Sequence, residues 1–277
     1  MSRFSVGIDV SRWQGVIDWQ AVKDQGITWA CARIGIGWGY IDNQWAANLE
    51  GAKAVGLPMG GYFVPSFKDY EVDPNDLINN LENGLEESNL KPDFLVNDIE
   101  KFTANTKTRW NREICFQVSK WMWNYLDRSA QKVWQYNRAA QFNLRLGDGE
   151  WAIDAPGHAV PSFASDYPLW VAHYRAAPGQ DWKQYLAPGN MPTIATAWTP
   201  SSNKYRGAFP GWKVWQVIDS AKNFEGVQSN EIDINIMKLD FFERLFGSVV
   251  VPTPGPDLVP PVDPPVNGEP WGVIYRS

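Results

Sequence analysis

The sequence predicts an α/β fold in which eight strands close into a modified barrel, followed by an extended proline-rich tail. Three observations predict this fold class. Five strand-like segments alternate with helical segments over residues 1–146, as in parallel β/α units. Three further strand-like segments follow with no convincing helix between them. From residue 249 onward proline dominates, and eight of the chain's twenty prolines fall between Pro252 and Pro270.

Apolar runs, helix-capping residues and helix-ending glycines predict the first five strands and helices. We expect Asp18 to cap the first helix, Gly26 to end it, and Gly56 to end the second. The fourth helix is the longest, because apolar residues recur along it at helical spacing. The predicted strands are 4–9, 28–34, 59–64, 94–99 and 133–136, and the predicted helices are 19–25, 44–55, 74–88, 106–126 and 139–146.

The rest of the globular part is rich in Pro, Gly, Ser and Trp. It carries strand-like islands at 169–173, 193–197 and 214–217, and a short helix near 236–246. We therefore predict a barrel domain over 1–247 with mostly parallel strands, and a polyproline-like linker or tail over 248–277. In such barrels the active site lies at the carboxyl ends of the strands, so acidic residues there are the first candidates.

Composition and charge exclude several classes of partner. Hydrophobic residues make up 44% of the 277 residues and charged residues 20%, which is enough for a substantial core. The net charge is −6 and no basic stripe is present, which argues against nucleic acid. No apolar run approaches the ~20 residues of a membrane-spanning helix, so we expect no membrane insertion. We expect a monomer.

Neither a metal nor a cofactor is expected. Cys31 and Cys115 lie far apart in apolar segments and are predicted to be buried thiols, and with two histidines they leave little for a zinc site. The glycines at positions 35, 37 and 39 are weak as a nucleotide signal and are better explained by a turn beside the cleft. Sixteen tryptophans exceed what core packing alone suggests and suit a carbohydrate cleft, where indoles stack on sugar rings.

Acidic residues end two of the predicted strands. Asp9 ends the first, and Asp98 and Glu100 end the fourth, where alternation puts both on one face, ~6.6 Å apart along the backbone. Two carboxylates this close repel, so one holds its proton near neutral pH, as glycoside hydrolysis requires. The alternative is a solvated strand end or half of a salt bridge, and Asp9 at a second strand end weighs against it.

Two further acids have simpler interpretations. On spacing alone, Asp233 follows the last strand as a turn residue or helix cap. Asp42 is interpreted as a cap as well. His158 and His173 pair with no evident nucleophilic Ser or Cys.

Several segments together resemble glycoside hydrolase family 25, the Chalaropsis-type lysozymes. They occur in order across residues 4–240, and DVSxxQGxIDW together with D-x-E is specific. The matching segments are GIDVSRWQGVIDWQAVKDQGITWACARIG, NLEGAKAVGLPMGGYFV, DFLVNDIE, PLWVAHY and VWQVIDSAKNFEGVQSNEIDIN.

The resemblance implies a (β/α)5(β)3 modified TIM-like barrel that cleaves the β-1,4 bond between N-acetylmuramic acid and N-acetylglucosamine in bacterial peptidoglycan. It implies that Glu100 is the general acid, that Asp98 assists the substrate 2-acetamido group as it attacks the anomeric carbon, and that Asp9 and Asp233 line the acidic groove. The substrate-binding positions that it implies are Arg33, Tyr62, Tyr136, Tyr174 and Gln216. Ile36, Asn137 and the loop 147–165 depart from the family pattern.

Two alternatives to a muramidase remain open. One is a non-catalytic peptidoglycan-binding or phage structural protein on the same barrel, which would have no need of the acid pair. The other is a chitinase-like glycosidase, although the residues before Asp98 lack that family's longer acidic run. The first residues enter strand-like sequence without a secretory signal, so we expect cytoplasmic synthesis and action on the cell wall as a phage-released endolysin or virion-associated lysin.

Overall fold

A computed structural model describes residues 4–65, 73–99, 112–126, 132–137, 167–172, 179–187, 212–229 and 231–247. Its strands are β1 (Phe4–Val10), β2 (Trp29–Ile36), β3 (Tyr40–Ile41), β4 (Met59–Val64), β5 (Leu95–Ile99), β6 (Val133–Asn137), β7 (Leu169–Ala172), β8 (Trp212–Ala221) and β9 (Ile232–Lys238). Its helices are α1 (Trp19–Asp24), α2 (Trp45–Ala54), α3 (Pro74–Glu86), α4 (Arg112–Leu126), α5 (Trp182–Tyr185) and α6 (Leu239–Phe246), with a 3-10 turn at Arg12–Gln14.

The described strands form a ring. Their order is β1-β9-β8-β7-β6-β5-β4-β2-β3, and β1 also pairs with β2, so eight strands surround a common interior. The two-residue β3 is only a hairpin partner of β2. All ring pairings are parallel except those of β9, which runs antiparallel to both β1 and β8. The predicted α/β barrel is therefore confirmed.

The sequence-based assignments differ from the structure at two places: β9 was not predicted as a strand, and α5 was not predicted as a helix. The predicted helix 236–246 begins only at Leu239, because the residues before it belong to β9. Ile232, Ile234 and Ile236 alternate along β9 and are all buried, which is the period of a strand. The short α5 was not predicted. Asp181 begins it by accepting a hydrogen bond from the backbone N–H of Gln184.

Other predicted elements cannot be compared with the structure. Helix 139–146, strand 193–197 and the tail 248–277 lie outside the described residues.

Alternation along the strands divides the core into two layers. Ile8, Ala32 and Leu95 point outward and pack under the helices. Inside the barrel is an aromatic layer of Trp29, Phe94, Trp134 and Trp170, in which the rings of Phe94 and Trp134 stack with centroids 3.9 Å apart. Phe241 and Phe242 of α6, both fully buried, belong to this inner layer. Many of the tryptophans thus form the core rather than a carbohydrate cleft.

The aromatic layer depends on a glycine in β4, the strand that pairs with β5 beside Phe94. A Cβ on Gly60 would lie 2.0 Å from the Cε2 of Phe94, far inside van der Waals contact. We expect Gly60→Ala to lower the free energy of unfolding by about 1–3 kcal/mol, because the ring must move within a packed core. Urea unfolding measures this. Gly39→Ala is the matched control, since no atom lies within 4 Å of its added Cβ, and equal stability of the two variants would contradict the packing argument.

Candidate active site

The polar site lies above the aromatic layer, at the mouth of the barrel. Asp9 is two residues beyond Gly7 in β1, and Asp98 is two residues beyond Val96 in β5. Because residues two apart share one face of a strand, both aspartates lie on the face that points into the barrel. Both positions are near the carboxyl ends of parallel strands. Because β9 runs the other way, Asp233 near its beginning reaches the same end and lies opposite Asp9 in the strand pairing. Asp233 is therefore a strand residue, and the interpretation as a turn or cap was wrong.

All three aspartates act on the Tyr62 hydroxyl. Burial is the main reason that the pKa of the Tyr62 hydroxyl lies well above its usual value, and Asp9, Asp98 and Asp233 raise it further while Arg33 opposes them. Burial likewise raises the pKa of the Cys31 thiol, with added contributions from Asp9 and Asp98. Carboxylates from β1, β5 and β9 thus converge around Tyr62. At neutral pH the Tyr62 phenol keeps its proton and is available as a hydrogen-bond donor.

The other residues singled out from the sequence are only partly described. Gln216 is buried in β8 and lies opposite Asn235 of β9 and Ala172 of β7. The backbone of Tyr136 in β6 pairs with that of Asp98. Glu100 and Tyr174 lie outside the described residues.

Two consecutive buried hydrogen bonds, which were not predicted from the sequence, orient Asp9. The indole N–H of Trp170 donates to Oδ1 of Asn235 at 3.0 Å, and Nδ2 of Asn235 donates to Oδ2 of Asp9 at 2.7 Å. The first contact fixes which way the amide faces, so the second must be a donor contact. Asn235 is fully buried. Its signal was the alternation of IDINIM, which puts Asn235 on the same face as Asp233.

Arg33 has a dedicated counter-ion. Its Nε and Nη2 both lie 2.7 Å from Oδ2 of Asp42, which is almost fully buried and also accepts the backbone N–H groups of Arg12 and Gln44 at 3.1 and 3.0 Å. Burial lowers the pKa of Arg33, but Tyr62 and Asp42 offset this and leave it raised. Interpreting Asp42 only as a cap missed this ion pair. The pair neutralises Arg33, so carboxylates dominate the described part of the mouth.

On its outer face, the strand that carries Asp98 is hydrogen-bonded to α4. Asn97 faces away from the barrel interior, and its Nδ2 donates to Oγ of Ser119 in α4 at 3.0 Å. Both residues are fully buried. A hydrogen bond in such surroundings is costly to break, so it fixes the position of β5 against α4.

These features define the chemistry available to the site. Clustered carboxylates in a partly dehydrated mouth suit proton transfer to a leaving oxygen and stabilisation of positive charge on a sugar ring. Within the described residues, no cluster of three or more His, Cys, Asp or Glu side chains suits a metal ion. None of the described helices is long and apolar enough to cross a membrane.

Comparisons with known proteins agree on one family. The family model "Glycosyl hydrolases family 25" matches residues 8–227. Lysozyme M1 of Streptomyces globisporus is 26% identical over 240 residues, which cover 83% of this chain and 66% of that protein. The chain spans less than two thirds of the length of the curated relatives it matches.

Two solved structures share the fold. One is a bacterial lysozyme from Streptomyces coelicolor, with a TM-score of 0.54 and 22% identity, covering 84% of this chain and 91% of that one. The other is the catalytic domain of an endolysin from bacteriophage P40 of Listeria monocytogenes, with a TM-score of 0.57 and 17% identity, covering 90% and 100%.

Proposed function

Because the chain belongs to glycosyl hydrolase family 25, we propose that it is a muramidase. It hydrolyses the β-1,4 bond between N-acetylmuramic acid and N-acetylglucosamine in bacterial peptidoglycan. The observation that carries this proposal is the convergence of Asp9, Asp98 and Asp233 on Tyr62 at the mouth of the barrel. Such a set of carboxylates supports glycosidic bond cleavage, which needs both a proton donor and a negative charge near the sugar ring.

In the proposed mechanism, Glu100 is the general acid that protonates the leaving glycosidic oxygen. Asp98, two residues before it, orients the 2-acetamido group of the muramic acid, whose carbonyl oxygen attacks the anomeric carbon. A water molecule then opens the cyclic intermediate, and Glu100 takes its proton, so the anomeric configuration is retained. Asp9 and Asp233 place negative charge near the sugar as its ring becomes cationic.

Two polar neighbours of the acids have roles in substrate binding. Tyr62, which stays protonated, donates a hydrogen bond to the substrate or to an adjacent carboxylate. Gln216, buried on β8, contributes an amide to the same cleft. Arg33, Tyr136 and Tyr174 are the other members of the predicted sugar-binding set. These assignments rest on the family motif and on the position of the strands.

A comparison of substrates tests the function. The purified protein is expected to reduce the turbidity of a bacterial wall suspension and to release reducing ends from it, while leaving chitin oligomers intact. Cleavage of chitin oligomers at a comparable rate would favour the chitinase-like alternative. Binding to walls with no released reducing ends would favour the non-catalytic alternative.

We also propose that the protein acts on the wall as a phage-released endolysin or a virion-associated lysin. The presence of a phage endolysin among proteins of this fold supports the assignment. Expression inside a bacterium with a susceptible wall is expected to cause lysis only after the inner membrane is permeabilised. Lysis without permeabilisation would show that the protein crosses the membrane unaided.

The proline-rich segment is proposed to be separate from the catalytic domain. Deleting residues 249–277 should keep the melting temperature within a few degrees and keep hydrolysis of soluble muropeptides, because such a segment adds almost no ladder hydrogen bonds to a barrel. If residues 271–275 dock on a wall polymer or a partner protein, activity on intact walls should fall, whereas an inert end would leave it unchanged. A truncated protein that fails to fold would show instead that Trp271 belongs to the core.

A further inference from the structure

Beside the acidic mouth lies a second group of side chains, which is cationic and aromatic. We propose that Arg12, Trp13 and Tyr40, here called the rim platform, bind the peptide-substituted face of the glycan strand. In this site Arg12 pairs with a carboxylate of the stem peptide that muramic acid carries, and Trp13 stacks on a sugar ring. The inference rests on the proposed muramidase function and assigns it a preference for peptide-bearing glycan.

The rim platform lies at the same end of the barrel as the aspartates. The 3-10 turn Arg12–Gln14 begins two residues after β1 ends, and β1 carries Asp9 near its carboxyl end. Tyr40 is the first residue of β3, which forms a hairpin with β2, and β2 is the parallel neighbour of β1. A glycan strand in the cleft would therefore pass the platform on this side of the mouth.

The platform holds a cation between two rings. The guanidinium carbon of Arg12 lies 4.6 Å from the ring centroid of Trp13 and 5.2 Å from that of Tyr40. Stacking engages the flat faces of a guanidinium and leaves its edge N–H donors free for a carboxylate. Within the described part of the chain, the Arg12 side chain makes no ion pair, whereas Arg33 is already paired with Asp42.

The platform is rigid although it is exposed. Ser11 donates its backbone N–H to Oε1 of Gln14 at 2.8 Å, and Nε2 of Gln14 donates to the backbone oxygen of Glu231 at 3.3 Å, so the turn is fixed on both sides. The backbone N–H of Arg12 donates to Asp42, the counter-ion of Arg33. Trp13 is nevertheless 68% exposed. A large indole held in water by a fixed backbone suits stacking on a sugar face.

The positive charge of the rim platform indicates which ligand binds there. The described residues inside the mouth are acidic and repel anions, so among the described residues an anionic substituent is favoured on the rim, at Arg12. An unsubstituted N-acetylglucosamine polymer carries no carboxylate. In peptidoglycan the lactyl group of muramic acid carries a peptide with free carboxylates, which hang from the side of the glycan. A neutral sugar on Trp13 and an anion at Arg12 together match that polymer.

Binding of two chemically matched ligands tests this assignment. Soluble glycan fragments with intact stem peptides are compared with the same fragments after their carboxylates are converted to neutral methyl amides. Dissociation constants are measured by calorimetry on a Glu100→Gln protein, which removes turnover from the measurement. We expect amidation to weaken binding roughly three- to tenfold, and Arg12→Gln to weaken binding of the acidic form by a similar factor while hardly affecting the amidated form.

Two further variants make the result decisive. Arg244→Gln is the control variant, because Arg244 is also exposed and also stacks on an aromatic ring, that of Phe241. Arg244 lies on α6, at the other end of the barrel, so this substitution should leave both affinities unchanged. Trp13→Ala should weaken both ligands equally. Equal loss of both ligands in Arg12→Gln, or no loss, would overturn the stem-peptide assignment. Failure of the wild-type protein to cleave either fragment would overturn the muramidase function instead, whatever the affinities show.

Discussion

Glu100→Gln is expected to abolish wall hydrolysis, with kcat lowered by roughly 10²–10⁴-fold and the melting temperature almost unchanged. The proposed reaction requires a proton on the leaving oxygen, and a glutamine of the same shape cannot supply it. Steady-state rates of reducing-end release on wall fragments measure the effect. Glu82→Gln, on the exposed face of α3, is the matched control and should retain full activity.

A second readout separates catalysis from binding. Because the substitution leaves the shape of the site unchanged, the Glu100→Gln protein should still bind wall fragments. If it keeps more than about half of the wild-type turnover, Glu100 is not the general acid.

Asn235→Ala is expected to lower kcat roughly 10- to 100-fold, although Asn235 has no proposed contact with substrate. Its amide donates to Asp9 and accepts from Trp170, so its removal takes away one hydrogen bond that orients the carboxylate and one that the buried indole N–H makes. We expect an accompanying loss of about 1–3 kcal/mol in the free energy of unfolding. Rate measurements should be paired with urea unfolding.

The pH dependence distinguishes positioning from general damage. The ionised form of Asp9 loses a donor that stabilises it, so activity in Asn235→Ala should fall most steeply on the acid side of the profile. Trp170→Phe is the companion variant, because it removes the anchor of the amide but keeps the amide itself. We expect it to lose less activity than Asn235→Ala. A uniformly reduced pH profile in both variants would assign Asn235 a purely structural role.

Seven of the eight ring strands could be predicted because their signal is local, whereas β9 was not predicted as a strand. Apolar runs that end at Asp9 and Asp98 identify strands wherever the chain goes afterwards, and parallel strands bring their carboxyl ends together. The direction of β9 is not local information. Its last residues run into a helix with no glycine or proline between, so the apolar positions of IDINIM and LDFFERLF merged into one helical pattern. Asp233 was therefore first placed outside the sheet.

The site residues that were missed depend on contacts between distant parts of the chain. Asn235 meets Asp9 from 226 positions away, and nothing in either segment indicates the other. Asp42 does accept the backbone N–H of Gln44, as a cap would, and this local role concealed its pairing with Arg33. Tryptophan composition had the same weakness, since a count does not distinguish the buried Trp134 from the exposed Trp13.

The reversed direction of β9 also determines where the chain leaves the barrel. Lys238 lies beside Phe4 at the floor of the barrel, and α6 packs against that floor before the chain reaches Gly247. Whatever is joined after Gly247 therefore starts on the side farthest from the cleft. A cargo fused at that point, such as a fluorescent reporter or a wall-targeting module from another protein, would leave the cleft open to an incoming polymer. A fused module that is to reach the polymer in the cleft needs a linker at least as long as the barrel. An extended segment the length of 248–277 reaches on the order of 90 Å.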